Sequence, residues 1–349
     1  MSAPYVRKEK SVTRTMTFVM VALMPATLYG LYLYGWPAII LFTTTIVSAV
    51  LFEVLSLLVA RKPVARFTSD GSAILTAWLL AISLPPWAPW WIAVLGSAVA
   101  IVIGKHVFGG LGQNVFNPAM VGRVVLLISF PLEMTSFVDP APLLSASAPT
   151  FLQSMDIVFG TATIDAYTGA TVLDLLKTTV SQGGTVQEGL AGQYALGSWL
   201  AGSHAGSMAE GADILLFIGG VMLIFTRVIQ WFIPISTLLS IAAISTVFNI
   251  VDPNIYPDAM VHLFTGSAML GAFYIATDPV TSPTSPKGQI FFGITLGILI
   301  YALRTWAQYP ESMSFAILLM NAVAPLIDRY LRPRIFGRTL RGDPLDGPR

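Results

Sequence analysis

Residues 165–171, "DAYTGAT", combine an acidic residue, two threonines and small residues just before an amphipathic segment. Thr171 is followed three residues later by Asp174, a spacing close to that of a capping box, in which the first side chain caps the helix that it precedes. A helix N-terminus has unpaired N–H groups and the positive end of a dipole, both of which suit a phosphate group. The residues therefore predict a short helix with a hydroxyl group at an anion-binding end.

Two charged residues also have positions that suggest chemistry. Glu53 lies inside an apolar stretch, where a carboxylate is costly and often functional. It either belongs to an ion pathway or pairs with a basic residue of another helix. Lys177 is the only lysine between residues 138 and 212 and follows Thr171 by six positions. It either neutralises a phosphate or is solvated on a helix face.

A glycine-rich stretch precedes an apolar segment at residue 118. Its order does not match a phosphate-binding P-loop, and its residue types are typical of a turn that ends in a helix N-cap. The residues concerned are Gly109, Gly110, Gly112, Gln113, Asn114, Asn117 and Pro118.

The composition places the chain in a lipid bilayer. Its 349 residues are 55% hydrophobic and 11% charged, whereas soluble domains have about 25% charged residues. Cysteine is absent, which excludes disulfides, thiolate zinc sites and Cys-ligated iron–sulfur clusters within this chain. We expect no metal site, no complete catalytic site and no nucleic-acid partner, so any electron carried here needs an organic cofactor.

The hydropathy pattern predicts an all-α integral membrane protein with about ten transmembrane helices. The predicted helices cover residues 16–34, 37–60, 70–85, 89–105, 118–137, 213–231, 233–251, 262–277, 288–306 and 312–330. A long segment rich in Gly, Ala, Ser and Thr separates the fifth helix from the sixth. The predicted organisation is a first membrane half (1–137), a loop that contains "DAYTGAT" (138–212), and a second membrane half with a basic tail (213–349).

The distribution of Lys and Arg predicts the sidedness of these helices. With the N-terminus in the cytoplasm, 17 of the 19 basic residues fall on or toward the cytoplasmic side, as the positive-inside rule requires. The exceptions are Lys177 and Arg304. Both termini are therefore expected in the cytoplasm, and the 138–212 loop outside it, in the periplasm if the cell is Gram-negative.

A short internal echo suggests that the two halves are related. "GSAILTA" at 71–77 returns as "GSAMLGA" at 266–272, with five predicted helices from one copy to the next. An odd number of helices reverses the chain direction, so the halves would be inverted five-helix repeats, as in many transporters. The alternative is chance, because Gly, Ser and Ala are common packing residues in membrane helices.

The polar stretch also resembles a known modification motif. Asp165, Thr168, Gly169, Ala170 and Thr171 are similar to the flavinylation motif of respiratory flavoproteins, an acidic residue followed by Ser or Thr, a small residue, any residue and Thr. In that family a flavin transferase joins the phosphate of FMN to the last threonine through a phosphoester. The resemblance implies that Thr171 carries FMN.

Three further stretches resemble the D subunits of Rnf electron-transport complexes and the related B subunits of sodium-pumping NADH:quinone reductases. They are "SDGSAILTAWLLAISLPP", "GKHVFGGLGQNVFNPAMVGR" and "YIATDPVTSPTSPKG". The resemblance covers essentially the whole chain. It implies an inner-membrane protein that relays electrons between NADH and ferredoxin branches, coupled to Na⁺ or H⁺ translocation.

The same resemblance implies partners and a second cofactor. The partners would be the other Rnf subunits (A, B, C, E and G), a flavin transferase and membrane lipid. A second, noncovalent flavin such as riboflavin would lie between the helices, and the glycine-rich stretch at 109–118 is one candidate seat for it. The alternative function is a secondary transporter or channel with inverted repeats and no redox role.

Overall fold

A computed structural model describes residues 11–160, 168–169, 171–190, 202, 204–307 and 312–332, and this part of the chain is mostly helical. The helices before residue 137 are α1 (Val12–Val59), α2 (Val64–Thr68), α3 (Ser72–Ser83), α4 (Trp90–Ala98), α5 (Pro118–Ser129) and α6 (Pro131–Thr135). Helix α4 continues as a π-helix over Val99–His106.

The remaining elements follow in two groups. The first group comprises β1 (Phe137–Val138), α7 (Phe151–Phe159), β2 (Thr168–Gly169), α8 (Val172–Ser181) and α9 (Val186–Leu190). After a 3₁₀ turn at Glu210–Ala212 come α10 (Asp213–Phe225), α11 (Phe232–Val251), α12 (Ala259–Leu263), α13 (Ala268–Leu270), a π-helical turn at Gly271–Ile275, α14 (Pro286–Trp306) and α15 (Met313–Tyr330).

Each predicted helix falls on helical structure, with three differences in continuity. Helix α1 covers the first two predicted helices, with a kink at Gly35 where φ is 71° and ψ is −156°. The fifth predicted helix is divided at Phe130, because Pro131 begins α6 and its ring fits only the first turn of a helix. The eighth is broken at Ser267, whose left-handed φ of 58° separates α12 from α13.

Within the described part of the chain, three helices have the length and hydropathy needed to cross a bilayer, namely α1, α11 and α14. This finding agrees with an all-α membrane protein. The count of ten crossings, the inverted arrangement, the external position of the 138–212 loop and the domain boundaries remain predictions.

The two copies of the internal echo have similar surroundings. Gly71 before α3 and Gly266 before α13 both have a left-handed backbone, with φ of 80° and 63°. A buried cation from a later helix contacts each start: the Lys105 ammonium donates to Ser72, and the Arg304 guanidinium donates to the carbonyl of Gly266. The two stretches therefore share a backbone conformation and a buried cation contact as well as five of their seven residues.

The main core lies between α1, α3, α5, α10 and α14, and is built of leucines such as Leu23, Leu80, Leu126, Leu216 and Leu296. One predicted surface residue belongs to this core. In the sequence, Trp87, Trp90 and Trp91 predict an aromatic belt at the outer membrane interface, but Trp87 is 5% exposed. Its indole N–H donates to the carbonyl of Tyr34 at 3.1 Å, so that prediction is wrong for Trp87.

Candidate functional site

Thr171 is the N-cap of α8, as predicted. Its Oγ1 accepts a hydrogen bond from the backbone N–H of Asp174 at 3.3 Å, and its carbonyl accepts from Leu175 at 2.8 Å. The residue has an extended backbone (φ −64°, ψ 157°) and is 5% exposed. Asp174 lies in the first turn, where its charge complements the helix dipole.

A two-residue strand holds the chain just before Thr171. Thr168 and Gly169 form β2, which pairs antiparallel with β1 in the register Val138 to Thr168 and Phe137 to Gly169. Phe137 and Val138 are 2% and 1% exposed, so β1 is a fixed support. Of the other predicted motif residues, Asp165 and Ala170 lie outside the described residues.

Helix α8 is fixed by its apolar face. Val172, Leu173 and Leu176 form a small core with Val186 of α9 and Val261 of α12. Thr171 therefore lies between β1, at the end of the first predicted half, and α12, which belongs to the second.

Lys177 is bound to protein rather than free in solvent. Its ammonium donates to the carbonyl of Ala307, the residue that ends α14. Burial lowers the pKa of this ammonium, and the Asp174 carboxylate raises it in part. A basic group at a helix C-terminus satisfies a carbonyl that the helix leaves unpaired. Lys177 therefore has a structural role, and the phosphate role remains a prediction.

Glu53 is paired with two basic residues. Lys105 Nζ lies 2.8 Å from Glu53 Oε1, and His106 Nε2 lies 2.9 Å from Glu53 Oε2. The Glu53 side chain is 1% exposed and that of Lys105 is 3% exposed. Both basic residues come from the end of the π-helical stretch, a type of irregularity that is frequent at functional sites. Glu53 is therefore paired with basic residues, which is one of the two predicted alternatives. An ion pathway through Glu53 remains a prediction.

The cluster continues toward α3. Lys105 Nζ also donates to Ser72 Oγ at 2.8 Å, and Ser72 Oγ donates to Asp70 Oδ1 at 2.6 Å. Asp70 accepts from the backbone N–H of Ser72 as well, a local turn contact just before α3. We call the five residues Asp70, Ser72, Glu53, Lys105 and His106 the inner cluster.

A cavity, which we call the inner cavity, borders the inner cluster. Ser72 and Lys105 line one side, and Asn114, Asn117 and Pro118 of the glycine-rich stretch line another. The remaining lining is largely apolar and includes two aromatic side chains from the π-helical turn before Asp278, Phe273 and Tyr274.

The asparagines of the glycine-rich stretch have different roles. Asn117 caps α5, as predicted, and its side chain accepts from the N–H groups of Ala119 and Met120. Asn114 Nδ2 donates to the carbonyl of Phe116, whereas Asn114 Oδ1 is buried without a partner among the described residues. A buried amide oxygen without a hydrogen bond is costly, so Asn114 has an acceptor available for a molecule in the cavity.

A second buried polar network, which the sequence did not predict, lies before α13. Arg304 donates to the carbonyls of His262, Thr265 and Gly266 at 2.5 to 2.9 Å. The Glu210 carboxylate accepts from Ser207 Oγ at 2.8 Å and Ser267 Oγ at 3.1 Å. Arg304 therefore binds buried backbone before α13, whereas the sequence had indicated only that it departs from the positive-inside rule.

No group of three or more His, Cys, Asp or Glu side chains that could hold a metal ion occurs in the described part of the chain. Near the cavity, Lys105 and Glu53 are ion-paired, the Asn117 side chain is bonded to backbone, and Asn114 Oδ1 has no partner among the described residues.

Comparison with known families identifies the group to which this architecture belongs. The family model described as "NQR2, RnfD, RnfE family" matches residues 1–337. The chain belongs to this family. A relative from Halorhodospira halophila is 50% identical over all of this chain and 98% of its own length. One from Stutzerimonas stutzeri is 48% identical over 96% of this chain and 95% of its own. One from Escherichia coli O81 is 39% identical over 96% and 97%.

All three relatives are named as the D subunit of an ion-translocating oxidoreductase complex. Family membership confirms the resemblance seen in the sequence.

Proposed function

We propose that this chain is a membrane component of an Rnf-type ion-translocating oxidoreductase complex and that it carries FMN on Thr171 through a phosphoester. The observation that supports this most directly is the position of Thr171 in a chain of this family. Thr171 caps the N-terminus of α8 and follows the last residue of β2 by two positions. In the proposed reaction path, electrons pass between NADH and ferredoxin branches and are coupled to Na⁺ or H⁺ translocation.

The local geometry fits a phosphoester at Thr171. The cap bond uses Oγ1 as an acceptor from the Asp174 N–H, and an ester oxygen keeps a lone pair for that role. The first N–H groups of α8 provide donors for phosphate oxygens. Because Thr171 is 5% exposed, a transferase must reach it through local opening or before α8 docks. When bound, FMN supplies the electron-accepting chemistry that the side chains lack.

The lining of the inner cavity is chemically suited to a second, noncovalent flavin such as riboflavin. Its largely apolar wall with Phe273 and Tyr274 suits a flat aromatic ring. Asn114 Oδ1 is an acceptor without a described partner, suited to an N–H at the polar edge of such a ring. These residues would bind and orient the ring and shield it from water.

The proposal includes partners and a location. We propose an inner-membrane position with cytoplasmic termini and a periplasmic flavin loop, contacts with the other Rnf subunits (A, B, C, E and G), and maturation by a flavin transferase. The alternative function, a transporter or channel with inverted repeats and no redox role, makes a different prediction for Thr171, because it needs no flavin acceptor there.

The decisive experiment is in-gel flavin fluorescence of the denatured chain after coexpression with a flavin transferase. We expect fluorescence in the wild type and none in Thr171→Ala. The matched control is Thr150→Ala, because Thr150 is also a threonine N-cap, with a complete capping box at α7. Equal fluorescence in wild type and Thr171→Ala, or none in wild type, would contradict the proposal.

A further inference from the structure

The wall of the inner cavity contains a buried ammonium group. Lys105 is 2% exposed, and its Nζ donates at 2.8 Å to both Glu53 Oε1 and Ser72 Oγ. An ammonium has three donors, so two are used by these described partners. Because Lys105 and Ser72 both line the cavity, the third donor and the positive charge are available to a bound molecule.

The groups behind Lys105 hold its charge in place. Glu53 uses one carboxylate oxygen for Lys105 and the other for His106. On the other side, Ser72 is anchored by its hydrogen bond to Asp70. The other charged residue that lines the cavity is Asp278, which is occupied in capping its own turn through Val280 and Thr281. Lys62 is directed to the carbonyl of Gly109.

We propose that Lys105 sets the redox potential of the flavin bound in the inner cavity and that Glu53 positions this ammonium and offsets part of its charge. This inference rests on the second flavin of the proposed function. In the step concerned, the ring gains one electron and a donor flavin loses one. Lys105 keeps its proton, and no bond in the protein forms or breaks.

The physical basis is the energy of adding negative charge near a fixed positive charge. In a site shielded from water this attraction is much stronger than in bulk solvent, and a charge already in place needs no reorganisation. Lys105 therefore favours the reduced ring and raises its potential, whereas the Glu53 carboxylate acts in the opposite direction from a greater distance.

The two members of the pair consequently have opposite expected effects. Lys105→Met removes the positive charge and should lower the potential, by an amount equivalent to about tenfold in the one-electron equilibrium, or about 59 mV. Glu53→Gln leaves the ammonium uncompensated and should raise the potential. The double variant should lie between the two. A purely structural role of the pair does not predict shifts of opposite sign.

The experiment uses the full chain with Thr171→Val, so that covalent FMN is removed and one flavin remains. Each variant is purified in detergent and titrated potentiometrically while flavin absorbance is followed. Lys287→Met is the matched control, because Lys287 is an exposed lysine on the same predicted side, and it should leave the potential unchanged.

The outcomes separate the inference from the function on which it rests. If the Thr171→Val chain contains no flavin, the second flavin and this inference are both overturned. If flavin is present and Lys105→Met and Glu53→Gln have the parent potential, or shift it in the same direction, only the inference is overturned. Should Lys105→Met fail to fold, Glu53→Gln decides alone, and an unchanged or lowered potential contradicts the role of Lys105.

Discussion

A single oxygen, Thr171 Oγ1, has two proposed roles, as the cap of α8 and as the flavin acceptor. The two are compatible because the cap uses a lone pair while attachment replaces the hydroxyl proton. Replacing Thr171 by Ala therefore removes a cap as well as an attachment point, and cap loss costs about 1 kcal/mol. The Thr150 control matters for this reason, since it loses a cap without losing the acceptor.

Lys177 provides a separate prediction at the residue scale. Its ammonium donates to the carbonyl of Ala307 at the end of α14, so Lys177→Met should cost about 1 kcal/mol, the net contribution of one hydrogen bond. The flavin fluorescence of the denatured chain should stay at the wild-type level. Thermal unfolding in detergent measures the loss of stability, with the exposed Lys287→Met as a control. Loss of flavin with unchanged unfolding would instead support a phosphate-binding role.

Residue-scale roles were predictable where they depend on neighbours in the chain. The caps at Thr171 and Asn117 follow from spacing of a few residues. The Glu53–Lys105 pair spans 52 positions, and the sequence could offer it only as one of two alternatives. The three carbonyls bound by Arg304 belong to backbone, which carries no sequence signal.

At the element scale, the helices were predictable because apolar runs and Pro or Gly breaks mark them. Their interruptions were less so. The π-helical ending of α4 at Lys105 and His106 coincides with tertiary contacts to Glu53, and periodicity does not distinguish it from an α-helix. The predicted eighth helix, residues 262–277, is short for a membrane-spanning helix, which suggests a break but does not place it at Ser267.

The kink in α1 leads to a prediction at this scale. Gly35 has φ 71° and ψ −156°, a region essentially restricted to glycine. An added Cβ would meet its nearest atom, the carbonyl oxygen of Ala141, at 3.5 Å, which is ordinary contact. Gly35→Ala should therefore destabilise through backbone strain, by about 1 to 3 kcal/mol. The measurement is thermal unfolding in detergent.

A control for Gly35 must place alanine at a helical position with an ordinary backbone. Ser240→Ala does so in α11, where it removes one described side-chain bond and should cost about 1 kcal/mol or less. A Gly35→Ala chain as stable as wild type would show that α1 can cross this point without the left-handed residue.

For the whole molecule, sidedness is the prediction on which the proposed electron path depends. Family membership and the three bilayer-length helices do not fix which side the motif faces. The absence of cysteine offers a direct test, because a single introduced thiol is then the only one. Ser69→Cys, before α3, and Ser147→Cys, before α7, are both at exposed positions, so access to the thiol reports sidedness rather than burial.

The positive-inside rule places Ser69 in the cytoplasm and Ser147 outside it. A membrane-impermeant maleimide added to intact spheroplasts should therefore label Ser147→Cys and not Ser69→Cys, and permeabilised cells should label both. The permeabilised sample is the internal control for thiol reactivity. If intact spheroplasts gave the reverse pattern, Thr171 would lie in the cytoplasm and the inner cavity at the outer face. The order of the two proposed flavins across the membrane would then be inverted, while their attachment chemistry would stand.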